Sequence, residues 1–224
     1  MMKMDDAKQV SNAVALIAHV GRQVTELFDY IDSKILAGDL HSSLKVAKLK
    51  ARANDQDDLE DEGGWVCKRW VKNYALLKGK AKKPTSYFGY QIELDGEFLG
   101  IGEPILHVFG NWGVPAGCDP DSEDSAPIDS TIIEDDDFKL AVYEGTLIQW
   151  DYGPAADASD ASKIGADGWL FAARLAALSS PEMADKLILE PMKNLLTSTS
   201  TALKFDNAAY LKVAVDQGRL ILST

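Results

Sequence analysis

The spacing of apolar positions divides the chain into a helical start, an extended middle and a mixed end. Val10, Val14, Ile17, Gly21, Val24, Phe28, Ile31 and Ile35 recur at alternating intervals of four and three, a heptad seam. Leu16, Val20 and Leu27 widen the stripe. The pattern predicts one helix over 5–37, opened by Asp5 or Asp6 and closed by Gly38. At 1.5 Å per residue it would run about 50 Å. Such a stripe needs cover, either from the same helix of a second copy or from the rest of the chain. Its width favours the rest of the chain. Gly21 would admit a neighbouring backbone or simply weaken the helix.

Residues 39–53 predict a second, shorter helix, with Asp39 as its cap and Leu40, Leu44, Ala47 and Ala51 as its apolar side. The first two helices would then form a helical hairpin. Residues 65–79 predict a third helix. Val66, Cys67, Trp70, Val71, Tyr74 and Leu77 share one face, and Lys68, Arg69, Lys72 and Asn73 share the other.

From residue 86 the period becomes two. Phe88, Tyr90, Ile92 and Leu94 alternate with Tyr87, Gly89, Gln91 and Glu93, and Asp95-Gly96 is a hairpin turn signal. Strands are expected at 97–101 and 105–109. Another starts at Phe138, Leu140 and Val142, turns at Glu144-Gly145 and returns through Ile148, Trp150 and Tyr152. Helices are expected at 167–178 and 181–197. Ser180-Pro181 should start the second, and Pro191 should kink it. A hairpin of 209–215 and 219–223 closes the chain.

The fold class is therefore α+β: a long N-terminal helix and helical hairpin, an antiparallel β-meander, two further helices and a C-terminal β-hairpin. Two domain layouts fit. One is an N-terminal helical segment with an acidic linker over 1–62, followed by an α+β domain over 63–224. The other is a single domain over 1–224.

Charge sharpens this picture. The chain has 224 residues and a formal net charge of −12, from 35 acids against 23 bases. The charge is segregated: residues 54–62 carry six acids and 119–137 carry nine, neither with a base, while 64–83 carry seven bases and no acid. An anion of this size repels phosphate backbones and anionic membranes and favours basic partners. Cys67 and Cys118 match neither a CxxC nor a zinc spacing, so free thiols are expected. Asp5 and Asp6 stand where a signal peptide needs positive charge. No apolar run approaches the roughly 20 residues that span a bilayer. The expected location is the cytoplasm.

Several groups of residues carry candidate chemistry. The basic stretch includes Lys68, Arg69 and Lys72, interleaved with Trp65, Trp70 and Tyr74. Lysines that neutralise phosphates and aromatics that stack on bases suit single-stranded nucleic acid. A helix with its aromatics inward and its lysines outward explains the same residues, and nucleic acid is not the expected partner. Asp119, Asp121 and Glu123 alternate like the first ligands of a calcium loop, but that loop's glycine and closing glutamate are absent. Asp129 followed by Asp137-Phe138-Lys139 echoes a metal-dependent phosphodiesterase, where two carboxylates hold Mg²⁺ and a lysine offsets charge. His19, His41 and His107 have no second ligand at a metal spacing, and each reads as a structural histidine. Trp112, within Gly110-Asn111-Trp112-Gly113, could wall a pocket mouth. Gly100 and Gly102 could mark a bulge or a close backbone approach.

No GxSxG, P-loop, complete GxGxxG or HExxH occurs, and no cofactor is expected. The reading that joins the acidity to the missing motifs is a non-catalytic interaction protein of inhibitor, immunity or adaptor type. It would bind a basic protein partner through Asp135, Asp136 and Asp137, with a homodimer through helix 5–37 as a separate expectation. A ligand-binding or sensory domain and a metal-dependent phosphoester hydrolase are the alternatives.

Overall fold

Helix α1 spans Met4–Leu36, as the heptad seam predicts. It stops at Gly38, whose φ of 82° lies in the left-handed region that glycine enters at little cost. The structure, a computed structural model, describes residues 4–38, 40, 44–48, 69–78, 86–94, 100–111, 138–152, 168–197, 203, 205, 208–216 and 219–223. Gly21 has no atom within 4 Å of where a Cβ would stand, so no neighbouring backbone approaches it.

The strands are β1 (Leu44–Lys48), β2 (Arg69–Lys78), β3 (Ser86–Glu93), β4 (Ile105–Asn111), β5 (Phe138–Tyr143), β6 (Leu147–Tyr152) and β7 (Gly168–Arg174). They form one seven-stranded antiparallel sheet in the order β1-β2-β3-β4-β7-β6-β5. Two meanders, β1 to β4 and β5 to β7, therefore meet where β4 pairs with β7. Between β5 and β6, Glu144 and Gly145 both take positive φ, 52° and 63°, the signature of a tight hairpin turn.

Three sequence expectations are corrected. Residues 44–48 are strand β1 rather than part of a helix over 39–53, so no helical hairpin follows α1. Residues 69–78 are strand β2 rather than a helix over 65–79. Residues 168–174 are strand β7, followed by a short 3₁₀ turn at Leu175–Ala177, rather than a helix over 167–178. The physical reason applies to all of β7 and, in β2, to Tyr74, Ala75 and Leu76, which are buried in succession. Each strand has neighbours on both sides, and β7 is buried on both faces. A strand buried on both faces loses its alternation and reads as a continuous apolar run, which periodicity cannot tell from a helix. Of the strand expected over 97–101, residues 97–99 lie outside the described residues. Gly100 and Gly102 turn with φ of 66° and 69° and have open space around them, so neither marks a close approach.

The expected helix over 181–197 is present in three continuous pieces: an α-turn, α2 (Pro181–Ala184), a π segment (Asp185–Leu189), and α3 (Glu190–Thr197). The Ser180 hydroxyl caps it by accepting from the Met183 amide, with Pro181 in the first turn. The predicted disturbance at Pro191 takes the form of the π segment just before it. Having no N–H, Pro191 cannot donate to the Leu187 carbonyl four residues back. That carbonyl instead accepts from the Tyr210 hydroxyl at 3.0 Å. The final hairpin is β8 (Val213–Asp216) with β9 (Arg219–Leu222).

The core lies on both faces of the sheet. On one face Val24, Phe28, Ile31 and Ile35 of α1 pack with Leu187, Ile188, Met192 and Leu195 against Tyr74, Phe88, Tyr90, Leu106, Trp169 and Phe171. Each of these large apolar side chains contributes about 2 kcal/mol on burial. On the other face Phe109, Ile148 and Leu170 meet Val213 and Leu220 of the hairpin, and Ile105 and Ala172 meet Leu211. Two glycines let aromatics cross between strands. Phe109 lies over its partner Gly89, and Trp169 lies over its partner Gly110, each ring where a Cβ would stand.

Candidate functional site

Most of the residues singled out by motif lie outside the described residues: Lys68, Trp112, Asp119, Asp121, Glu123, Asp129, Asp135, Asp136 and Asp137, with His41. Arg69 stands at the start of β2 and Lys139 in β5. Lys72 is corrected in its surroundings. The helix reading placed it opposite Tyr74, but the strand period puts residues 72 and 74 on the same face of the sheet. Lys72 is half-buried beneath α1, with Nζ 5.7 Å from the centre of the Phe28 ring. Gly110, read as a pocket rim, sits under Trp169.

Two polar clusters that the motif search did not find are built into the core. The first joins α1 to the sheet. Asp32 is buried, and its Oδ1 accepts hydrogen bonds from the hydroxyls of Tyr74 and Tyr90, the latter at 2.8 Å. The Tyr90 hydroxyl also reaches the Phe28 carbonyl at 3.3 Å. Burial pushes the Tyr90 phenol far above its ordinary value of 10.0, and the nearby Asp32 carboxylate pushes it further. Two residues before Asp32 the Tyr30 hydroxyl donates to Asp185 at 2.7 Å, tying α1 to the π segment. The heptad seam explains which side of α1 is buried. It gives no hint that Asp32, between two seam positions, would be drawn in with it.

The second cluster is on the opposite face. Glu93 of β3 and His107 of β4 are 2% and 0% exposed, with Oε2 and Nε2 3.1 Å apart. Gln91, which pairs directly with His107, is buried beside them. The acid nearest to His107 in the sequence is Glu103, four residues earlier. The partner is Glu93, because Glu93 pairs with Ile105 and so lies diagonally across from His107. Knowing that β3 pairs with 105–111 rather than with 97–101 would have exposed the contact. A carboxylate and an imidazole at this distance can share a proton. Their burial keeps solutes away, so the pair acts as a polar staple between β3 and β4. Glu103 pairs instead with Arg174, joining the segment before β4 to the end of β7.

The third feature is a surface. Every residue of α1 from Ser11 to His19 is exposed, among them Val14 at 52%, Leu16 at 63% and Ile17 at 43%. The seam that is buried from Val24 onward thus continues, uncovered, into the N-terminal half of the helix. No run of α1 or of any other helix among the described residues is long and apolar enough to cross a membrane, and no group of three or more metal-ligating side chains occurs among them.

What the fold and these clusters define is an α+β scaffold with a helix that extends past its own core. No family model, curated protein or solved structure matches the chain.

Proposed function

We propose that the protein is a non-catalytic interaction protein that docks a basic protein partner through its acidic surface. The observation that carries this reading is the segregation of charge: a net −12, with nine acids and no base in 119–137 and six acids and no base in 54–62. A like-signed surface of this density steers an oppositely charged partner and rejects anionic ones. The buried clusters support the reading from another side. Asp32 is engaged with Tyr74 and Tyr90, and Glu93 with His107, so these ionisable groups act within the scaffold and leave recognition to the surface.

The test begins with capture from a cell lysate at low ionic strength and purification of any bound protein of high isoelectric point. Its affinity is then measured at about 0.05 M and 0.5 M salt, where the screening length falls from roughly 14 to 4 Å. The expected outcome is a loss of at least tenfold in affinity, and a similar loss for the triple variant Asp135→Asn, Asp136→Asn and Asp137→Asn. An affinity that ignores both salt and the triple variant overturns the reading.

A further inference from the structure

We draw no further inference here: the strongest candidate, the exposed apolar patch of Val14, Leu16 and Ile17 on the N-terminal half of α1, carries nothing because nothing in the structure shows what covers it.

Discussion

Asp32 accepts from two hydroxyls that have been taken out of water, so its removal leaves both to find new partners. Asp32→Ala should destabilise the protein by about 2–4 kcal/mol, with Asp32→Asn less severe because an amide oxygen can still accept. Urea denaturation measures both. Tyr90 carries a pH consequence. Its folded-state value is raised, first by burial and then by Asp32, whereas the unfolded phenol ionises near its ordinary 10.0. Above that pH the unfolded chain releases a proton that the folded chain retains. Stability from this group is therefore complete below pH 10 and falls as pH rises beyond it, by about 1.4 kcal/mol per pH unit. The difference in urea midpoint between pH 9 and pH 11 should shrink in Tyr90→Phe. At Gly89 a methyl group would meet the Lys72 carbonyl oxygen at 2.2 Å and the Phe109 ring at 2.6 Å. The backbone oxygen cannot yield as a side-chain tip can. Gly89→Ala should cost more than about 2 kcal/mol, whereas Gly21→Ala, inside α1 and with room for a methyl, should stabilise by roughly 0.5–1 kcal/mol.

At the scale of elements, α1 is two helices in one. Its C-terminal half is held by the sheet and its N-terminal half by its own hydrogen bonds. Phe28→Ala should cost about 3–5 kcal/mol and Val14→Ala less than about 0.5. In hydrogen exchange at low protein concentration, amides of 8–19 should exchange far faster than those of 24–36. Both halves of this helix were legible in the sequence, because the heptad spacing is local and long. The edges and turns were legible for the same reason: Gly38, Glu144-Gly145 and Ser180-Pro181 each carry their backbone preference in their own residue types. β2 and β7 were not. Trp169, Leu170, Phe171, Ala172 and Ala173 are all buried, three toward α1 and two toward the hairpin. What makes that run a strand is the pair of strands beside it, which no window of the sequence contains. The Glu93–His107 contact was hidden one level further on, since it needs the register as well as the strands.

For the whole molecule the charge is best viewed as a pattern rather than a total. Two acidic segments flank a basic stretch whose middle is a strand of the central sheet. Exposed acids act mainly on the approach of a partner. If the protein docks a basic partner as proposed, neutralising Asp135, Asp136 and Asp137 should slow association with it while leaving dissociation within about twofold, which surface plasmon resonance separates. The Mg²⁺-dependent alternative would instead require Asp137→Ala to abolish metal-induced thermal stabilisation of the wild-type chain.

The strand order has a consequence in time. Within each meander a strand finds its partner after a short stretch of chain, but β4 and β7 are separated by everything from residue 111 to residue 168. Closing that loop is the costly step, because entropy must be surrendered before the contact repays it. The two meanders are then kinetic units, and their zippering along β4 and β7 is the slow event that completes the sheet. Cutting the chain between residues 115 and 130 would turn this event into an encounter between two molecules. Mixed fragments should regain the native fluorescence of Trp169 at a rate that rises with concentration, whereas the intact chain refolds at one rate whatever its dilution.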